Sequence, residues 1–298
     1  MQELDLLILG AGWTSTFLIP LLQAKHLSFA ATTRDGKTVA GVKTIEWQFN
    51  PDEAASEDHN QFSVLPLAKH VLITFPLTGH GQSKTTVEGY NSAHSSKHGK
   101  EGARFIQLGS TGIWPSGGPT LQSSPWVTRH SPYNKDNPRA IAEDELLSLG
   151  GCVLNLSGLW GGERDPKNWV SRVAKTKEEV KSKASLHMIH GEDVARSIAA
   201  LVCTAKEGWE KHGAGQRWML TDGFVYDWWA LFAGWANGQN EKEGKADREP
   251  LEQAKWVYEL MAEEDVKALP RSMEQLGRAY DSREFWRSFG LTPLRARI

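Results

Sequence analysis

Two cysteines in 298 residues leave no material for a disulfide framework. Cys152 and Cys203 lie in the apolar contexts Gly-Cys-Val-Leu and Leu-Val-Cys-Thr, with no CxxC or histidine spacing suited to zinc. Both therefore read as buried thiols, and no metal is expected. An excess of either charge is also missing, since 34 Lys+Arg face 36 Asp+Glu for a net charge of −2. Nucleic acid and anionic membrane surfaces attract clustered lysine and arginine, so neither is expected as a partner. No apolar run approaches the roughly 18 residues of a membrane span. The opening Met1-Gln2-Glu3-Leu4-Asp5 is too acidic for a secretory signal, which makes a cytoplasmic protein the expectation. Internal repeats and low-complexity tracts are lacking too. What is plentiful is tryptophan, 13 residues, a side chain that fills cores and also walls ligand cavities.

Short apolar runs alternate with stretches long enough to cross over as helices. Leu4 to Leu9, Ser28 to Thr33, His70 to Phe75, Arg104 to Leu108 and Cys152 to Leu156 are nearly continuous in hydrophobicity, as strands covered on both faces are. Val42 to Phe49 is a weaker strand candidate, third in order. Leu186 to His190 and Gln216 to Leu220 are further candidates, for edge strands or for links to a second lobe. The alternation predicts an α/β fold with a doubly wound parallel sheet. Residues 1–160 form the dinucleotide-binding domain in this reading, with 186–220 adding strands and a helix. Residues 161–185 and 221–298 form a smaller, mainly helical lobe for substrate, marked by Phe224, Trp228, Trp229, Phe232, Trp235, Trp256, Phe285 and Trp286. Asn237 to Pro250 reads as an exposed loop, and the proline- and glycine-rich stretch from Trp114 to Asn137 as irregular structure.

The strongest local signal is Leu9-Gly10-Ala11-Gly12-Trp13-Thr14-Ser15 after the first strand. A strand that ends at Gly10 and a helix that starts near Gly12 turn backbone N–H groups and the positive end of the helix dipole onto one point, which suits a pyrophosphate. Gly10 makes the tight turn and Gly12 admits the ligand, while Ser15 takes the third small position of GxGxxG. Pro20, inside the expected helix, costs it a hydrogen bond. Where NAD-binding folds carry an acidic residue at the end of strand two, this chain reads Thr33-Arg34-Asp35. A guanidinium there pairs with a 2′-phosphate, so NADP(H) is favoured over NAD(H). Phe75 and Pro76, at the carboxyl edge of the sheet where such ligands bind, complete the cofactor set of Gly10, Gly12, Trp13, Thr14, Ser15, Thr33, Arg34 and Arg139.

Three segments beyond the turn carry a family likeness. They are Ser110-Thr111-Gly112-Ile113-Trp114 after strand five, Asn155-Leu156-Ser157-Gly158-Leu159-Trp160-Gly161-Gly162-Glu163-Arg164 after strand six, and Ile189-His190-Gly191-Glu192-Asp193-Val194-Ala195. With them the chain resembles the extended and atypical branch of the short-chain dehydrogenase/reductase superfamily, the NAD-dependent epimerase/dehydratase-like proteins of Rossmann fold, over most of its length. The resemblance implies that Ser110 hydrogen-bonds the substrate oxygen. It also implies a Tyr-x-x-x-Lys acid/base pair, and here the chain departs. Aligning Arg139-Ala140-Ile141-Ala142-Glu143 with the family's Lys-x-x-x-Glu puts Arg139 at the lysine position and Lys135 at the tyrosine position. Tyr133 lies two residues away. Arginine stays protonated, so Arg139 clamps a ribose, phosphate or anion without exchanging protons. Lys135, if desolvated beside Arg139, has a lowered pKa and acts as acid or base.

His80, His94, His98 and His130 lie in polar segments and read as solvated, and His190 as a structural histidine before a helix. Trp114, Trp126, Trp160 and Trp169 are candidates to wall a flat apolar pocket. The leading expectation is an NADP(H)-dependent oxidoreductase acting on a carbonyl or imine of a small apolar metabolite. The alternatives are a non-catalytic NADP(H) sensor and an epimerase, dehydratase or cyclase without net redox change. A homodimer through the helical stretches Ser83 to His98 and Arg139 to Leu149 is the family-based expectation.

Overall fold

The computed structural model describes residues 3–52, 60–95, 102–114, 124–236 and 249–298. Seven strands form one parallel sheet: β1 (Leu4–Leu9), β2 (Phe29–Thr33), β3 (Ile45–Glu46), β4 (Ala68–Ile73), β5 (Arg104–Ser110), β6 (Cys152–Leu156) and β7 (Arg217–Leu220). Their order across the sheet is β7-β6-β5-β4-β1-β2-β3. The order reverses between β1 and β4, and the crevice above their carboxyl ends is where ligands bind in such sheets. Val42 to Phe49 thus contains an edge strand, shorter than the apolar run. Gln216 to Leu220 supplies the opposite edge. Leu186 to His190 stays outside the sheet: Ser185–Leu186 pairs with Tyr226–Asp227, and Met188–His190 with Gly158–Trp160.

Alternation along β1 divides the core. Leu6 and Ile8 point into one fully buried cluster with Leu72, Ile106 and Leu154, while Leu7 and Leu9 point into the other with Val71, Ile73, Phe105 and Val153. The first face is covered by α1 (Trp13–Ala24) and, later in the chain, by the amphipathic helix Gly191–Val202; the second is covered by α2 (Gln82–Ala93) and α3 (Pro138–Ser148). Pro20 does lie inside α1; nothing in the structure explains it. Gly191–Val202 is α4. His190 caps it, its Nδ1 accepting the Glu192 N–H at 3.1 Å.

Beyond β7 the chain builds a separate apolar cluster from Trp228, Trp229, Phe232, Trp235, Val257 and Leu260. It then returns, and Phe285 and Trp286 of α5 (Arg283–Ser288) pack with Trp218 of β7 in the first core cluster. Within the stretch read as irregular, Trp126–Val127 pairs with Ala279–Tyr280, and residues 115–123 are outside the described ones. So are His98 and residues 237–248 of the expected loop. Two side chains depart from their reading. Cys152 is buried, but Cys203 is exposed because it follows Val202, the last residue of α4. His94 is buried against the Tyr90 ring instead of solvated.

Candidate functional site

Two adjoining cavities of about 410 and 920 Å³ run along the carboxyl edge of the sheet and share Gly10, Gly12, Phe75 and Pro76. The glycine turn is their common floor. Gly10 has φ +84°, and a Cβ there would lie 2.9 Å from the Phe75 ring, so only glycine fits. Its N–H donates to Thr32 Oγ1 at 3.0 Å, the Ala11 N–H donates to Thr32 O at 2.7 Å, and the Thr74 hydroxyl donates to the carbonyls of Leu9 and Gly10. At Gly12 a Cβ would meet only the Gly10 carbonyl, 3.9 Å away. The turn is therefore held from below and open above. Gly12 begins α1 with no side-chain cap and no acidic residue in the first turn, which leaves N–H donors facing the cleft. Thr14 and Ser15 are buried in the first turn of α1, where Thr14 lines the smaller cavity and Ser15 does not.

The larger cavity extends over β2 and is lined by Thr33, Arg34, Asp35, Lys37, Trp47 and Phe49. The Asp35 carboxylate faces its own turn. A hydrogen bond from Thr33 and the Lys37 N–H at 3.4 Å hold its pKa below the usual aspartate value. Arg34 and Lys37 then dominate this end of the cleft.

The smaller cavity lies over β5 and β6 and is lined by Trp13, Leu108, Ser110, Arg139, Ser157, Leu159 and Arg164. Ser110 stands opposite Leu156 in the parallel register, so Ser157 follows directly beside it. The Ser110 Oγ accepts the Gly112 N–H at 3.1 Å, while the buried Ser157 hydroxyl has no protein partner. A buried hydroxyl without a partner is costly unless a ligand supplies one. Sequence alone assigns Ser157 no role of its own, because its place beside Ser110 follows from the register of β5 on β6, which only the structure supplies.

Beneath Ser110 lies a buried polar network. Glu143 is fully buried and accepts hydrogen bonds from Asn155 Nδ2 at 2.8 Å, from Arg217 Nη2 at 3.3 Å and from the Ser110 N–H at 3.4 Å. Burial pushes its carboxyl pKa up, and the bond from Asn155 and the charge of Arg217 work against the rise. A Cβ at Gly109 would lie 2.4 Å from Glu143 Oε1, so Gly109 makes room for the carboxylate. The network fixes the end of β5 through the Ser110 backbone, while Glu143, Asn155 and Arg217 are not themselves lining residues.

The two proton-donor candidates are not brought to this cavity. The Tyr133 hydroxyl donates to Asp144 Oδ1 at 2.7 Å, and its ring lies under the Arg217 guanidinium at 4.4 Å. Burial, then the bond to Asp144, raises its pKa. Lys135 is exposed in a turn and is not a lining residue, so the desolvation its catalytic reading requires is lacking. Arg139 does line the cavity. Among the described residues, no histidine, tyrosine, lysine, cysteine, aspartate or glutamate lines this cavity. The four tryptophans expected as pocket walls line neither cavity of the cleft. Trp114 is buried, and Trp126 borders a separate cavity of about 850 Å³ with Tyr280 and Trp286. Trp13 and Trp47 wall the cleft instead.

No family model and no curated protein matches the chain in sequence. Among solved structures it is similar to a functionally unknown conserved protein from Silicibacter pomeroyi, at 18% identity and TM-score 0.59, covering 98% of this chain and 93% of that one. Yeast methylglyoxal/isovaleraldehyde reductase complexed with NADPH is similar at 13% identity and TM-score 0.58, over 97% of this chain and 93% of that one. Thermus thermophilus UDP-glucose 4-epimerase, solved with NAD, is similar at 12% identity and TM-score 0.54, over 95% and 98%. The chain has the Rossmann-type α/β fold that these solved structures share.

Proposed function

We propose that the chain binds a nicotinamide dinucleotide along the cleft and is an oxidoreductase acting on a carbonyl or imine of a small metabolite. The observation that carries this reading is the continuity of the cleft. One open glycine turn joins a basic end at Arg34 and Lys37 to an end lined by Ser110, Ser157 and Arg139. The backbone at Gly10, Gly12 and Trp13 would hold the pyrophosphate, Thr33 and Arg34 the adenosine ribose and its 2′-phosphate, and Phe75 and Pro76 the wall between the halves. NADP(H) is the preferred form, because two positive side chains face one carboxylate that is engaged in its own turn.

When bound, the nicotinamide supplies hydride transfer. The residues of this chain position the acceptor. Ser110 and Ser157 direct hydroxyls from adjacent strand ends at its oxygen, and Arg139 stabilises negative charge that develops there. With no carboxylate, imidazole, amine, thiol or phenol among the described lining residues, the proton comes from water through a serine hydroxyl, and hydroxide is left in the solvent. Titration of tryptophan fluorescence with NADPH and NADH, followed by a carbonyl and imine panel read at the cofactor absorbance, tests the reading. Saturable NADPH binding with turnover supports it, and absence of binding to either cofactor overturns it. The lack of a general acid among the described lining residues favours a second reading, an NADP(H) sensor without catalysis. Tight binding with no turnover across the panel selects it.

A further inference from the structure

The Arg164 guanidinium lies 4.4 Å from the centre of the Trp13 ring. Trp13 is the first residue of α1, next to the open Gly12, so this places a cation over the positive end of the helix dipole. No carboxylate forms an ion pair with Arg164 among the described residues. The placement is built. Gly161 and Arg164 exchange backbone hydrogen bonds at 2.9 and 3.1 Å, which closes a tight turn after Gly158–Trp160. Gly161 has φ +107°, and a Cβ there would sit 2.1 Å from His190 Nε2. His190 is itself fixed as the cap of α4 and by its edge contacts with Phe17 and Trp160. The Trp13 indole N–H donates to the Gly161 carbonyl at 3.1 Å and ties this turn to the start of α1.

We infer that Arg164 is a cofactor-binding residue that closes over the glycine turn and contacts the pyrophosphate bridge of the dinucleotide, so that the bridge lies between the α1 N–H groups and a guanidinium. The inference rests on the dinucleotide reading above. The chemistry is that of an arginine–phosphate pair, two N–H donors in a planar fork opposite two anionic oxygens. Held by Trp13 on one side, the guanidinium keeps its donor edge for the ligand. A pyrophosphate there also relieves the repulsion between Arg164 and the helix terminus.

The test measures binding of NADPH, NADH and adenosine 2′-monophosphate, which lacks the bridge, to the full-length wild type and to Arg164→Ala, Arg164→Lys and Arg34→Ala. Arg164→Ala is expected to raise the Kd for both dinucleotides by about tenfold to a hundredfold and to leave adenosine 2′-monophosphate within about twofold. Arg164→Lys is expected to fall between, because the charge remains and the fork is lost. Arg34→Ala is expected to weaken the monophosphate and NADPH together. Since the Arg164 side chain is exposed, an unchanged thermal midpoint shows that the variant folds. Wild-type affinity for the dinucleotides in Arg164→Ala overturns the inference and leaves the dinucleotide reading standing, as does an equal loss for all three ligands. A wild type that binds neither dinucleotide overturns both.

Discussion

In the proposed reading, cofactor preference turns on Arg34. It lines the larger cavity with Lys37, while Asp35 is turned to the Thr33 and Lys37 side of its own loop. Removing one guanidinium from a 2′-phosphate loses a charge-assisted bond, so Arg34→Ala should weaken NADPH by about tenfold or more. NADH, without that phosphate, should change by less than about twofold, and equal losses in parallel titrations would remove the argument. A second single-residue effect belongs to Asp222, which accepts the Tyr226 hydroxyl at 2.5 Å and the Phe224 N–H at 3.0 Å in a buried position. Burial pushes its carboxyl up to about 6 from the usual 3.8. Well below pH 3.8 folded and unfolded chains both hold the proton. As the pH rises toward 6 the unfolded chain ionises first, so this group removes on the order of 2 to 3 kcal/mol of stability and the loss then levels off. Urea unfolding at pH 4 and pH 6.5 should show that Asp222→Asn is free of this decrement relative to wild type.

At the scale of elements, the entry to α1 and the body of α3 divide the work of the site. Gly12 is open above and has a negative φ of −131°, so alanine fits the protein without ligand. Gly12→Ala should cost less than about 1 kcal/mol of stability, as an exchange at an N-cap does. Its methyl group intrudes where backbone and phosphate approach, and dinucleotide binding should fall below detection in the same titration. Intact binding would show that the ligand does not lie on the turn. α3 acts through packing. Glu143→Ala leaves Arg217 without its buried carboxylate and should lower stability by about 3 to 5 kcal/mol in chemical denaturation. Glu143→Gln, which still accepts from Asn155 and Ser110, should lose less. The same helix keeps the Tyr133 hydroxyl on Asp144, so Tyr133→Phe and Lys135→Ala should both leave turnover unchanged.

Across the whole molecule, the sheet is completed from the far end of the chain. Phe285 contacts Trp218 of β7 edge-on at 5.6 Å, and both lie in the cluster that contains Leu6 and Ile8 of β1. Leu294 and Arg295 then donate backbone N–H groups to the buried Asp193 of α4 at 2.9 to 3.0 Å, and Arg297 donates to the Tyr226 hydroxyl. The C-terminal residues thus strap α4 to the edge of the sheet. Phe285→Ala should cost about 3 to 5 kcal/mol through the cavity it leaves, a loss measured by chemical denaturation. An effect below about 1 kcal/mol would mean that α5 is an appendage to the sheet.

The local signals were legible in the sequence because they are backbone properties. Continuous apolar runs read as doubly covered strands, and two glycines after the first of them read as a phosphate turn, since only glycine takes the φ of position 10 and leaves position 12 open. The alternation of these runs with helices gave the parallel sheet. Short pairings such as Met188–His190 with Gly158–Trp160 were not legible, because a three-residue run is too short to reveal its partner. The cleft's side chains were still less so. Ser157, Arg139 and Arg164 line one cavity with Ser110 from three different segments, while the expected proton donors, Tyr133 bonded to Asp144 and Lys135 exposed in a turn, are not among its lining residues. Tyr133 precedes α3, so helix periodicity does not place it. Tertiary packing did, because Arg217, bonded to the buried Glu143, also bonds Asp144 and lies over the Tyr133 ring, which holds Tyr133 at this network while Arg139 lines the cavity.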